Sequence, residues 1–95
     1  YILYVGGLDW RKNLEIIPAA FQRISKSLQE CLAFVIAGEI NASEKSEYSS
    51  IWRSHGVSAD RIVFAGAVDD RTLVRLYKGA IALIQPSFME GFGLT

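Results

Sequence analysis

Cysteine, proline, histidine and methionine are all scarce in this 95-residue chain, which has one Cys, two Pro, one His and one Met. A lone cysteine, Cys31, cannot close an internal disulfide, so the fold must rest on its apolar core, and a reducing compartment fits. Because Cys31 opens an apolar run, it is expected to be a small buried hydrophobe. One histidine, one cysteine and scattered carboxylates supply none of the usual ligand spacings, so no metal site is expected. His55 has no accompanying partner pattern and is expected at a surface or edge, not in catalysis. Charge of one sign is also lacking, since ten basic residues balance ten acidic ones. A nucleic-acid surface needs a clustered positive excess, so nucleic acid is excluded as a partner. No apolar run approaches the ~20 residues that a spanning helix requires. The opening residues carry no basic stretch of the signal-peptide kind. A cytoplasmic location is expected, or a peripheral one at the inner membrane face for a full-length protein.

What is present is an apolar fraction of 51% beside a charged fraction of 21%, the balance of a globular domain or a part of one. Apolar runs at residues 1–5, 31–37, 62–65 and 80–85 are rich in Val, Ile, Phe and Tyr and are bounded by Gly, Pro, Asp or Ser. They lack polar alternation, as strands covered on both faces do. Between them lie three stretches of helical spacing. The first carries Leu14, Ile17, Phe21, Ile24 and Leu28 on one face, with Asn13 as N-cap and a kink or widened turn at Pro18. The second carries Tyr48, Ile51, Trp52 and His55, with Ser43 capping it and Gly56 ending it. The third is capped by Asp69 or Asp70, turns Leu73, Leu76 and Tyr77 inward, and stops at Gly79.

The order βαβαβαβ, with right-handed crossovers, predicts a Rossmann-like, doubly wound parallel sheet. Ligands of such sheets bind beyond the carboxyl ends of the strands. Two segments at those ends carry candidate chemistry. In Gly6-Gly7-Leu8-Asp9-Trp10-Arg11-Lys12-Asn13 two glycines let the backbone approach an anion, and Arg11 and Lys12 add positive charge. Neither GxGxxG nor GK[ST] is present, and a plain tight turn with solvated basic residues explains Gly-Gly as well. In Pro86-Ser87-Phe88-Met89-Glu90-Gly91-Phe92-Gly93-Leu94 the amides can bind hydroxyl or phosphate oxygens, and Glu90 can accept hydrogen bonds from a sugar. On physics alone, Glu90 is equally a loop carboxylate capping a following helix.

That last segment resembles the donor motif of the family 4 retaining glycosyltransferases, the group 1 glycosyltransferases of GT-B fold. Tyr1-Ile2-Leu3-Tyr4-Val5-Gly6-Gly7 with Arg11-Lys12-Asn13, then Phe34-Val35-Ile36-Ala37-Gly38, Arg61-Ile62-Val63-Phe64-Ala65-Gly66 and Leu76-Tyr77-Lys78-Gly79-Ala80 fit it in register. The resemblance covers essentially the whole chain, and five blocks in order are more diagnostic than any single one. It implies that residues 1–95 are a partial C-terminal, nucleotide-sugar-binding domain, truncated after Glu-Gly-Phe-Gly. The acceptor glycan or lipid-linked glycan would be bound by an N-terminal domain outside this chain. Carried over, Lys12 neutralises the diphosphate with Arg11 as helper, and Gly6 and Gly7 let the loop approach it. Gly66, Ala67 and Val68 lie against the nucleobase. Glu90 is the catalytic carboxylate at the donor sugar's hydroxyls, and the backbone of Gly91, Phe92, Gly93 and Leu94 holds sugar or phosphate. No cofactor and no obligatory metal is implied, because positive charge and helix-start amides stabilise the leaving nucleoside diphosphate.

Two departures stand out. Many members carry Arg where Gly7 stands, and a second conserved carboxylate, expected on the ribose, would fall beyond Thr95. The Arg11-Lys12-Asn13 form is similar to a branch with bacterial mannosyltransferases, which favours GDP-mannose as donor. Other GT-B enzymes, such as a sugar-nucleotide epimerase or a phosphorylase, and a non-catalytic α/β module are the competing readings. An exposed sheet edge after the fourth strand also makes self-association an expectation.

Overall fold

A computed structural model of the chain describes residues 1–8, 13–24 and 26–84. Its elements are β1 (Ile2–Val5), α1 (Ile16–Phe21), α2 (Lys26–Cys31), β2 (Phe34–Ala37), α3 (Ala42–Ser54), a 3-10 turn (Ala59–Arg61), β3 (Ile62–Gly66), α4 (Asp70–Gly79) and β4 (Ala82–Leu83). The strands pair in parallel in the order β3-β2-β1-β4. The α/β, Rossmann-like sheet expected from the sequence is therefore the architecture that forms. No helix among the described residues is long and apolar enough to cross a membrane.

The period-2 alternation of strand side chains divides the core into two layers. On one face Tyr4, Phe34, Ile36 and Ile62 lie beneath Leu14, Ile17 and Phe21 and beneath Tyr48 and Trp52 of α3. On the other, Leu3, Val35 and Ala37 lie beneath Val68, Leu76 and Ala80, around α4. Trp52 is fully buried, with Phe21, Phe34 and Tyr48 rings at centroid distances of 4.9, 6.0 and 6.2 Å. Tilted and edge-on aromatic contacts of this kind add to the apolar burial.

Coverage on both faces is complete only for the central strands. All four residues of β2 are buried, whereas β3 alternates and leaves Val63 47% exposed. Ala82 and Leu83 of β4 are exposed at the sheet edge. The absence of polar alternation had suggested burial throughout. Among the described residues only α4 lies on the second face, and one ten-residue helix cannot cover four strands.

Local chemistry also differs from the expectation at several points. The first helical stretch is two short helices. Arg23 N–H to the Ala20 carbonyl and Ile24 N–H to the Phe21 carbonyl are i→i−3 bonds that close α1, and Leu28, further on, is 48% exposed. Asn13 does not cap α1; it takes the left-handed conformation, φ 54°, which Asn tolerates better than most residues. The N-cap is Glu15, without a side-chain bond. Pro18 falls in the first turn, where its missing N–H has no helical partner to lose, so α1 runs through it. The turn before it is tightened, not widened, by Ile16 and Ile17 N–H bonds to the Asn13 and Leu14 carbonyls.

Cys31 ends α2 and is exposed, because β2 starts only at Phe34. The cap of α3 is Asn41, not Ser43: its side chain accepts from Glu44 N–H at 2.8 Å, and Glu44 accepts from Asn41 N–H at 3.1 Å. This reciprocal pair is a capping box. Asp69 caps α4 as expected, taking the Thr72 N–H at 2.7 Å. Tyr77 of α4, expected to face inward, is 37% exposed. His55 is the half-buried C-cap of α3, with Nδ1 3.3 Å from Gln22 Oε1.

Trp52→Ala should destabilise the fold by about 3–5 kcal/mol, measured as a shift in the urea midpoint. A second expectation concerns acid. Hydrogen bonds from the Thr72 side chain and N–H hold the Asp69 carboxyl below its ordinary value of 3.8. A folded value lower than the unfolded one makes the cap contribute above that ordinary value and fail as pH falls through the folded value. Amide exchange in α4 should therefore accelerate in that acid window, and Asp69→Asn, which caps without titrating, should abolish the effect.

Candidate functional site at the carboxyl edge of the sheet

β1 to β2 to β3 builds the sheet in one direction, and β4 then returns to the far side of β1. The direction of strand addition thus reverses between β1 and β4, and open α/β sheets bind ligands outside the carboxyl ends of the strands at such a point. Ile84 N–H bonds to the Leu3 carbonyl at 2.9 Å, so the described chain ends beside β1 as β1 approaches its own carboxyl end.

The rim at that edge is made of glycine backbone. Gly6 N–H donates to the Ala37 carbonyl at 2.9 Å, and Gly38 N–H donates to the Gly66 carbonyl at 2.9 Å. The carboxyl ends of β1, β2 and β3 are joined in this way. Gly6 has φ 146°, and a Cβ there would stand 2.7 Å from the Tyr4 hydroxyl. At Gly38 a Cβ would stand 2.3 Å from the Gly6 carbonyl oxygen, main chain that cannot swing aside. β3 carries an irregularity at the same level, with Ile36 opposite Phe64 but Ala37 opposite Gly66, so Ala65 is an inserted residue. Bulges of this type re-aim the chain at sheet ends and near sites.

Of the residues singled out in the sequence, the structure brings Gly6, Gly7, Gly66, Ala67 and Val68 to this one edge. Ala67 is exposed, while the Val68 side chain packs on the Leu3, Val35 and Ala37 cluster. Arg11, Lys12, Glu90, Gly91, Phe92, Gly93 and Leu94 lie outside the described residues. Two tyrosines that carried no site role in the sequence stand under the rim. Tyr4 donates to the Gly7 carbonyl at 2.8 Å, and Tyr48 donates to the Leu14 carbonyl at 2.8 Å. Gly38 was visible as the end of an apolar run and of the Phe34-Val35-Ile36-Ala37-Gly38 block without a residue role of its own, and no local pattern distinguishes either tyrosine from other core residues.

The electrostatics of the described rim are negative. Glu39, Asp69 and Asp70 are all exposed there. The starts of α3 and α4 are already occupied by Asn41 with Glu44 and by Asp69, whereas the start of α1 has no side-chain cap. A recess of about 140 Å³ opens between α1 and the β1–β4 pair, lined by Ile2, Ile17, Ala20, Phe21, Ile24, Leu32 and Ile84. Its lining is wholly apolar, so it does not suit a charged ligand.

Residues 1–95 match the family of glycosyl transferases group 1 from end to end. The chain belongs to this family. Relatives include the serotype-specific mannosyltransferase WbdA of Escherichia coli, 29% identical over 94 residues, which are 99% of this chain and 12% of that protein. The O-antigen chain mannosyltransferase B of Escherichia coli is 30% identical over 94 residues, 99% of this chain and 24% of that protein. A Campylobacter jejuni enzyme, the GalNAc-alpha-(1->4)-GalNAc-alpha-(1->3)-diNAcBac-PP-undecaprenol alpha-1,4-N-acetyl-D-galactosaminyltransferase, is 36% identical over 90 residues, 95% of this chain and 23% of that protein. The chain therefore spans about an eighth to a quarter of the lengths of these relatives. In this glycosyltransferase family member, the part described contributes a backbone rim, with its side chains turned largely to the core.

Gly38→Ala should lower stability by about 1–3 kcal/mol, because β1 and β2 must separate at their carboxyl ends. Among the described residues Gly7 has nothing within 4 Å of where a Cβ would stand, so Gly7→Ala should stay within about 0.5 kcal/mol of the parent. Urea unfolding of the two variants side by side tests the assignment of close approach to one glycine and not the other.

Proposed function

We propose that this chain is the donor-binding part of a retaining glycosyltransferase that transfers a hexose from a nucleotide diphosphate sugar to a glycan or lipid-linked glycan. The observation that carries the proposal is the position of the Gly6-Gly7 turn at the strand-order reversal of a chain that belongs to the group 1 family. The backbone rim supports it too, since a polyanion needs main-chain approach and N–H groups where acidic side chains would repel it. Two relatives named as mannosyltransferases favour mannose, and so GDP-mannose, as the donor.

In this reading Lys12, helped by Arg11, neutralises the diphosphate as the glycosidic bond to it breaks. Stabilising the departing charge with a fixed ammonium and guanidinium lowers the barrier without a metal taking that role. The backbone of Gly66, Ala67 and Val68 lies against the base, which suits the bulged end of β3. Glu90 accepts hydrogen bonds from the sugar hydroxyls, and the amides of Gly91, Phe92, Gly93 and Leu94 hold sugar or phosphate. The acceptor is bound by a part of the protein outside this chain.

Lys12→Ala and Glu90→Ala in the full-length protein should each lower kcat/KM for the donor by about 100-fold or more while the thermal midpoint stays put. A donor panel of GDP-mannose, UDP-GalNAc, ADP-glucose and a dTDP-sugar, with product stereochemistry read by NMR, checks substrate and retention together. Wild-type turnover in both variants, or epimerised donor with no transfer to any acceptor, would sink the proposal.

A further inference from the structure

The outward face of α4 carries charge of one sign in a chain whose formal net charge is zero. At about 100° per residue, Arg71, Arg75 and Lys78 fall within roughly 60° of one another around the helix axis and span about 10 Å along it. Leu73 and Leu76, the half-buried residues of the helix, fall on the opposite side, and Leu76 packs on the Leu3, Val35 and Ala37 layer. The stripe is therefore on the side of α4 away from the sheet, and all three cations are exposed. Among the described residues none of them has a hydrogen bond or an ion pair. No acid stands three or four positions from any of them, and Asp70 adjoins Arg71 at a spacing where helical side chains do not face each other. Val74 and the Tyr77 ring border the stripe on one flank, 51% and 37% exposed.

Helix stability does not account for this pattern. Lys78 in the last turn suits the negative helix end, but Arg71 in the first turn opposes the positive one, and Arg71 and Arg75 at four-residue spacing repel each other. A face built only for solvation mixes the two signs, as α3 does with Glu44, Lys45, Glu47 and Arg53. We propose that the outward face of α4 is a docking surface for an anionic lipid bilayer, with Arg71, Arg75 and Lys78 meeting headgroup phosphates. Charge complementarity selects an anionic partner, and shape selects among anionic partners. A helix back is convex and meets a plane of charge along its length, whereas an extended acidic peptide binds in a groove or along a sheet edge. The exposed flank fits the same partner, since tyrosine joins an apolar ring to a polar tip and suits the headgroup boundary. The apolar side of α4 is spent on the core, so the helix rests on the headgroups and does not insert. This surface does not depend on the donor-binding reading.

Sedimentation of the full-length protein with lipid vesicles tests it. At about 0.1 M salt the wild type should pellet with phosphatidylcholine vesicles containing about 30% phosphatidylglycerol and stay in solution with phosphatidylcholine alone. Arg71→Gln, Arg75→Gln and Lys78→Gln should each lower the partition coefficient about fivefold, and the triple variant about 100-fold, at an unchanged thermal midpoint. Arg71→Lys with Arg75→Lys keeps the charge and should keep the binding. A wild type that does not distinguish the two kinds of vesicle overturns the proposal. So does a folded triple variant that pellets like the wild type, or a charge-keeping variant that has lost the vesicles. Retention of the wild type on immobilised polyglutamate with no binding to the anionic vesicles overturns it as well, and marks an acidic protein as the partner.

Discussion

The hydrogen-bonded position of β1, with β2 on one side and β4 on the other, is the constraint on which the rest of the structure depends. A buried strand must satisfy both rows of peptide groups, and a parallel neighbour can be reached only through a crossover. The chain meets both demands by building outward through β2 and β3 and then returning past β1. The return puts α4 on the opposite face from α1 and α3, which is why two core layers exist. It also makes the turn after β1 lie where strand order reverses, with no helix of the described chain crossing over it.

Close packing at that edge explains the composition of the rim. Where Gly38 meets the Gly6 carbonyl, only a residue without Cβ allows β1 and β2 to remain paired to their ends. The Gly6 and Gly38 N–H groups are in turn spent on the Ala37 and Gly66 carbonyls, which tie the strand ends together. The exposed acids Glu39, Asp69 and Asp70 would repel a phosphate, so the described side chains of this rim do not favour an anion. Asp69 is already committed to its cap on Thr72, which draws its charge toward the start of α4.

The named relatives differ in the sugar their names specify, mannose in two and N-acetylgalactosamine in the third. A rim made of main chain suits this divergence. Under the proposed donor-binding reading, amides would meet the diphosphate that all nucleotide sugars share and be indifferent to the hydroxyl pattern of the sugar.

How much of this was legible in the chain itself follows from the range of the interactions. The parallel α/β class, the caps at Asp69, the core role of Trp52 and the position of the glycine turn follow from short-range rules: unbroken apolar runs, capping chemistry, and glycine where a positive φ is needed. The family resemblance extended that reading to Lys12 and Glu90 by register. Boundaries failed where local signals were balanced, as at Asn13 against Glu15, Ser43 against Asn41, and Cys31 between α2 and β2. Tertiary structure alone decided that β1 lies between β2 and β4, that Gly38 presses on the Gly6 carbonyl, and that Tyr48 reaches Leu14 across 34 positions. Those contacts join residues far apart in the chain, and their energy comes from excluded volume and hydrogen-bond direction in three dimensions, which no local pattern of residue types encodes.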